Sequence, residues 1–277
     1  MNRREFIALT GAACFSIGHA ATLPRTIGKG RRIRMALVGC GNRGVNNLLQ
    51  EMAKEQVVAF ADPNARNLEA ALAKLRQLDP IVDMAKVKTF RDYREMFDKA
   101  SGEIDAVVVA ANNNHHALPA LMAMRRGIHA YVEKPLAHTL EEIHALRDAA
   151  KRYGVVTQAG HQGHSAHGIR LAAEYMAAGA FGEVKEVWCW HGAMQARPSG
   201  PSRVASHFEN FCDAIREGRK ASTDFAYGAP LADLTALVNV AQRAGCKKLL
   251  WDGSRVTNDA EANALVSMNY RNGWSIS

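Results

Sequence analysis

"RRIRMALVGCGNRGVNNLL", residues 31–49, decides the fold. It reads as a short strand from Ile33 to Val38, a glycine turn, and then a helix. Gly39, Gly41 and Gly44 fit the spacing G-x-G-x-x-G, and the strand before and helix after give that pattern its meaning. The first glycine makes the tight turn. The second lets a pyrophosphate approach the backbone, and the third lets helix and strand pack closely. The helix N-terminus then faces the phosphate charge. A plain strand-to-helix turn is the other reading of these residues.

The next strand, "QVVAFADP" (56–63), supports dinucleotide binding, because Asp62 lies eighteen residues past Gly44. An acid there accepts hydrogen bonds from the adenosine ribose. That favours NAD over NADP, whose 2′-phosphate would meet a carboxylate. Arg43 and Arg66 keep NADP open, and Asp62 as a simple helix cap is the bland alternative. The alternation then continues. "NLEAALAKLRQL" (67–78) and "RDYREMFDKA" (91–100) have helical spacing, and "IDAVVVAA" (104–111) is an apolar run bounded by turn residues, as in a buried parallel strand. "HALPALMAMRRG" (116–127) predicts a helix and "IHAYVEKP" (128–135) a strand. "TLEEIHALRDAAKRYG" (139–154) predicts a helix opened by a capping box of Thr139 and Glu142, and "VVTQAG" (155–160) a strand. Such alternation predicts an α/β fold, a Rossmann doubly wound parallel sheet.

In "YVEKPLAHTL" (131–140) the chain leaves a buried strand through Glu133, Lys134 and Pro135. Proline keeps the preceding residue out of the helical region, so Lys134 is held extended at the strand's carboxyl end. Ligands of open α/β sheets bind at that end. A surface loop with an ion pair is the alternative.

Formal net charge is +8, but Arg25, Lys29, Arg31, Arg32 and Arg34 crowd residues 21–34 without an acid. This predicts a solvated basic linker rather than a nucleic-acid surface, since no basic patch interleaved with aromatics is present downstream. The five cysteines, Cys14, Cys40, Cys189, Cys212 and Cys246, contain no C-x-x-C pair, so neither a zinc site nor a disulfide framework is expected. "MNRREFIALTGAACFSIGHA" (1–20) has a twin arginine, Arg3-Arg4, a mildly apolar run and a small-x-small end at Gly18-His19-Ala20. It predicts a twin-arginine signal and a periplasmic protein exported folded. Its apolar run is too short to span a bilayer, and no integral membrane association is expected.

"GCGNRG", "ADP", "HHALPALMAMRRGIHAYVEKPLAHTLEE" and "QAGHQGHSAHGIRLAAEYMAAGAFGEVKEVWCWHG" together resemble the Gfo/Idh/MocA family of glucose–fructose oxidoreductases and inositol dehydrogenases. "EANALVSMNYRNGW" is similar to the tail of its secreted members. The resemblance implies NAD(P)-dependent oxidation or reduction of a sugar, sugar derivative or cyclitol. Some members instead use a bound NAD in a transient oxidation that cleaves a glycosidic bond. Carried over, Asn42 and Arg43 touch the pyrophosphate and Asp62 the ribose. Asn113 to His116 flank the nicotinamide, with Glu133 and Lys134 beside it. Lys134 is the catalytic residue, assisting the proton of the reacting hydroxyl, and burial is expected to tune it. His161, where the family has Asn, is expected near the cofactor, and His164 and Arg170 near the substrate. His161, His164 and His167 recur every third residue, but with no acidic fourth ligand no metal is expected. A second departure is Ala111-Asn112, where the family has Thr-Pro.

The resemblance also implies a second domain with a long, mostly antiparallel sheet that carries the substrate pocket, a common oligomer interface and a catalytic histidine. Here "QARPSG" passes directly to "PSRVASHFENFCDAIREGRKAS", and after His191 the sequence holds only His207. The expected layout is a signal over 1–20, a linker over 21–31, a Rossmann domain over 32–158 and a shortened α+β domain over 159–277. "VASHFENFCDAI" and "LADLTALVNVAQRAG" are amphipathic, so each must find an apolar partner on the Rossmann domain or on another copy in a homo-oligomer. A nucleotide-binding remnant or partner subunit without turnover is the competing expectation. Trp188, Trp190, Trp251 and Trp274 are expected in core or tail-anchoring roles rather than on a sugar.

Overall fold

The computed structural model describes residues 23–28, 30–183, 185–186, 206–270 and 274–276. The signal, Cys14, Trp188, Cys189, Trp190 and most of "GEVKEVWCWHG" lie outside the described residues. The described sheet has six parallel strands in the order β3-β2-β1-β4-β5-β6. These are β1 (Arg34–Val38), β2 (Gln56–Ala61), β3 (Lys88–Phe90), β4 (Ala106–Val109), β5 (His129–Glu133) and β6 (Thr157–Gly160). β1 is central, with Met35 level with Ala106 and Leu37 with Phe60. The order reverses between β1 and β4, which places a crevice at their carboxyl ends.

Side chains alternate between two apolar layers, because successive strand residues point to opposite faces. Met35, Leu37, Phe60, Val108 and Tyr131 face one layer; Ala36, Val38, Val107, Val109 and Val132 face the other. The first layer takes α1 (Leu49–Met52), which comes after π-type winding over Gly44–Leu48, and α2 (Ala65–Leu78). The second takes α3 (Tyr93–Ala100), α4 (Ala117–Met124) and α5 (Leu140–Tyr153). α5 begins with the expected capping box: Thr139 accepts from the Glu142 N–H, and Glu142 reaches back to the Thr139 N–H.

Beyond Gly160 the described regular elements are helices, α6 (His167–Ala177), α7 (His207–Glu217), α8 (Phe225–Arg243) and α9 (Ala260–Ala264), with one isolated bridge between Trp251 and Val256. Both amphipathic segments pack an apolar face on the Rossmann half, while Leu231, Leu234 and Val238 of the second stay exposed. α7 seats Phe208, Phe211 and Ile215 in the first layer, against Tyr131. α8 seats Phe225, Ala229, Ala232 and Val240 in the second. β6 itself runs to Gly160, past a boundary drawn at residue 158.

The stretch expected as a solvated linker is docked instead, in the parts described. Ile27 is buried, the Arg25 N–H donates to the Gly127 carbonyl, and the Arg25 guanidinium donates to the Ser101 carbonyl at 2.7 Å. Arg32 pairs with Asp79 at 2.9 Å and Arg34 with Asp105 at 2.6 Å. The acids that neutralise this basic run are distant in sequence, so its composition alone looked solvated. Among the described residues no helix is long and apolar enough to cross a membrane.

Candidate functional site

The glycine turn opens on Gly39, whose φ of 89° is costly for a residue with a side chain. A Cβ there would also lie 2.5 Å from the Ala111 nitrogen. At Gly44 a Cβ would meet the Gly39 carbonyl oxygen at 2.2 Å, so the third glycine is needed for turn and helix to touch. A Cβ on Gly41 would meet nothing within 4 Å. The second glycine therefore faces open space, where a pyrophosphate could approach the backbone.

Asp62, just past β2, is buried and borders the same space. One carboxylate oxygen accepts the Cys40 N–H at 2.7 Å; the other accepts the Asn64 N–H at 2.8 Å and the Asn67 amide at 3.1 Å. Burial, with the Asp62 charge nearby, pushes the Cys40 thiol up to about 12, so it is an inert packing residue. The cleft encloses about 630 Å³. Gly39, Gly41 and Asp62 line it together with the loop after β4, and Tyr93, His115 and Trp274 form an aromatic wall.

A second constellation stands at the end of β5. Glu133 is buried, and its Oε1 accepts from Arg43 Nη2 at 2.9 Å, Arg43 Nε at 3.0 Å and Gln162 at 2.6 Å. Its Oε2 accepts the Lys134 N–H at 3.1 Å. Gln162 also donates to the Tyr131 hydroxyl at 2.7 Å. Gly160 is required beside it, since a Cβ would lie 2.9 Å from the Glu133 Cα. Arg43, expected at the pyrophosphate, is thus held over the end of β5, tying the glycine turn to Glu133. Lys134 comes next, with a cis bond to Pro135. Its side chain is exposed and has no side-chain partner among the described residues. The burial expected for it is not found there.

His116 does not open into the cleft. It is buried, with Nδ1 2.7 Å from the Pro135 carbonyl and Nε2 2.9 Å from the Ala111 carbonyl. It braces the loops after β4 and β5 against each other. Asn42 is exposed at the start of the helix, hydrogen-bonded to Asn46. Asn113 lines an adjoining hollow with Asn112, Asn114 and Pro135. His115, which residue type alone did not single out from its neighbours, is the histidine that lines the main cleft.

His161 lies just past β6 and is half-buried, with a buried Nδ1 that has no partner among the described residues. Burial holds this imidazole below its ordinary value, against the opposing pull of Glu133. His164 sits one short turn on, its ring 4.9 Å from that of Tyr227. Arg170 lies on α6 with no side-chain partner among the described residues. His207 anchors α7 instead, its Nδ1 2.7 Å from Ser165 Oγ and its Nε2 2.9 Å from the Ala159 carbonyl. Among the described residues no group of three His, Cys, Asp or Glu is placed to hold a metal ion.

Residues 33–161 match the profile of the oxidoreductase family with the NAD-binding Rossmann fold, GFO_IDH_MocA. A 2,7-anhydro-N-acetylneuraminate hydratase of Mediterraneibacter gnavus is 26% identical over 156 residues, 56% of this chain and 38% of that protein. A glycosyl hydrolase family 109 protein of Streptomyces niveus is 31% identical over 122 residues, 43% of this chain and 24% of that protein. The similarity therefore spans well under half the length of these relatives. A dehydrogenase from Chromobacterium violaceum shares the fold, with a TM-score of 0.57 at 19% identity over 78% of this chain and 98% of that one. Gly39 and Gly44, which leave no room for a side chain, the open space at Gly41 and an acid beyond β2 fit a dinucleotide. Over residues 33–161 the Rossmann domain of this chain is similar to the Gfo/Idh/MocA oxidoreductase family.

Proposed function

We propose that the chain is an NAD-dependent oxidoreductase acting on a sugar, sugar derivative or cyclitol, with Lys134 as the residue that exchanges a proton with the reacting hydroxyl. One observation carries this reading: the glycine turn and Asp62 border a single cleft at the carboxyl ends of β1, β2 and β4, and Lys134 leaves the next strand, β5, at the same edge of the sheet. Gly39, Gly41 and Gly44 would admit the pyrophosphate, and Asp62 would receive the ribose hydroxyls, which favours NAD. When bound, the nicotinamide supplies the hydride acceptor or donor. The chain's own residues do the rest. Glu133, fixed by Arg43 and Gln162, sets the backbone from which Lys134 projects. The neutral Lys134 amine can accept the proton of a substrate hydroxyl during oxidation, and its ammonium can return that proton during reduction, help typically worth about 10²–10⁴-fold.

The relatives named glycosyl hydrolase support a second reading, in which a transient oxidation labilises a glycosidic bond and the nicotinamide ends in its starting state. One experiment separates these readings. Purified chain is titrated with NAD, then given a panel of sugars, cyclitols and aryl glycosides while reduced nicotinamide and released aglycone are followed. Substrate-dependent reduced nicotinamide supports the oxidoreductase. Aglycone release without net reduction supports the glycosidase. Lys134→Ala should remove most of the oxidation while NAD affinity stays within about twofold, because the chemistry and not the turn carries the loss. NAD binding with no turnover on any substrate would leave a nucleotide-binding chain only.

A further inference from the structure

The aromatic wall of the cleft has an unusual source. Tyr93 begins α3 and His115 lies just past β4, but Trp274 comes from the last residues of the chain, far from both in sequence. Its ring lies 4.9 Å from His115, edge to face, and 5.5 Å from Tyr93. The Arg94 guanidinium sits 4.2 Å from the indole centroid and is itself held by Asp92 at 2.9 Å. A cation over the ring is attracted to it, so the indole is fixed from that side. The approach to it is anchored as well. The Tyr270 hydroxyl bonds to Glu142, the Glu141 N–H donates to the Val266 carbonyl, and beyond the indole Arg125 donates to the Ile276 carbonyl. A solvated tail would not need these attachments, and they bring one large flat ring to the border of the cleft that Asp62 shares.

We infer that Trp274 is a nucleobase-binding residue: it supplies the wall against which the adenine of the dinucleotide packs. The inference rests on the proposed dinucleotide binding and extends it to the carboxyl-terminal tail. The geometry favours the adenine half over the nicotinamide half. Trp274 shares its cleft with Asp62, the ribose acceptor, while Glu133 and Lys134 line a different part of the sheet edge. An indole offers a purine a broad apolar face, and such stacking does not require a matched set of hydrogen bonds. Specificity for adenine then rests on the shape of the cleft that Trp274, Ala110 and Ala111 line together rather than on a reading of base edges.

The test is calorimetric titration of the full chain with NAD, ADP-ribose and nicotinamide mononucleotide, for wild type, Trp274→Leu, Trp274→Ala and Trp274→Phe. Trp274→Leu keeps apolar bulk but removes the ring; Trp274→Phe keeps a ring. Expected is a loss of about ten- to a hundredfold, equal for NAD and ADP-ribose, in the Leu and Ala variants. Nicotinamide mononucleotide should bind all four chains alike, and Phe should restore most of the loss. Unchanged ADP-ribose affinity in Trp274→Leu, with a melting temperature like wild type, would overturn the inference and leave the cofactor reading intact. Tighter binding would also overturn it, because Trp274 would then be occupying the base slot. Failure of wild-type chain to bind any of the three would overturn both readings at once.

Discussion

Asp62 Oδ2 accepts the Cys40 N–H inside the glycine turn, and Oδ1 accepts from Asn64 and Asn67, so the carboxylate proposed for the ribose also closes the loop beneath it. The cap reading and the ligand reading of Asp62 are therefore compatible. This gives a double expectation. Asp62→Ala leaves the Cys40 N–H unpaired in a buried place, which costs about 1–3 kcal/mol of stability, seen as a lower urea midpoint. It should also weaken NAD by roughly 1.5–3 kcal/mol through loss of charged hydrogen bonds. A lower midpoint with undiminished NAD affinity would make Asp62 structural only. The glycines and Asp62 were legible in sequence because a dinucleotide turn is local and its spacing is rigid. The clamp of Arg43 and Gln162 on Glu133 was not, because Arg43 and Glu133 are 90 residues apart and Gln162 is 29 residues further on. Only the sheet order brings them together.

At the scale of elements, local signals were legible and edge contacts were not. The α5 capping box rests on residues three apart, and Thr139→Ala should cost about 1 kcal/mol by denaturant titration. A loss much above roughly 2 kcal/mol, the upper end for a cap, would show that the Glu142–Tyr270 bond fails with it. β3 has three residues, too few for a periodic pattern, and left no strand of its own in the sequence. β5 begins with His129, which is buried between the docked amino-terminal segment and β6. Its Nε2 lies 2.8 Å from the Arg25 carbonyl, and its Nδ1 accepts the Val156 N–H at 3.0 Å. That pattern needs the neutral ring with its proton on Nε2. Burial accordingly holds His129 below the ordinary 6.5, and His161 and His207 shift the same way for the same cause. The unfolded chain then binds more protons than the folded one as pH falls below about 6.5. Stability should be full above that range and fall as pH is lowered through it. His129→Gln should flatten the fall while lowering stability at neutral pH. An equal slope in wild type and variant would take His129 out of the linkage.

For the molecule as a whole, the family pattern was legible over the Rossmann half, while the docking sites of the helices and tail beyond it were not. An amphipathic helix announces that it needs an apolar partner but not which one. α7 and α8 take opposite faces of the one sheet, and the tail crosses to α3 and α4. Among the described residues they therefore complete the Rossmann layer. Without α7, Tyr131 loses Phe208 and Phe211 above it; without α8, Ala159 and the inner face of α5 lose Phe225 and Ala229. A buried phenylalanine is worth about 1.5–3 kcal/mol, so three of them alone approach the total stability of many domains. A chain ending at Gly182 should accordingly bind a hydrophobic dye, melt well below the full chain, and show a shallower urea transition, since less surface is exposed on unfolding. Loss of Trp274 with the tail should weaken ADP-ribose in the same chain. If that fragment instead melted cooperatively at the full chain's temperature, α7 and α8 would be passengers on an independent Rossmann domain. The two-sided packing would then contribute nothing that the sheet lacks without it.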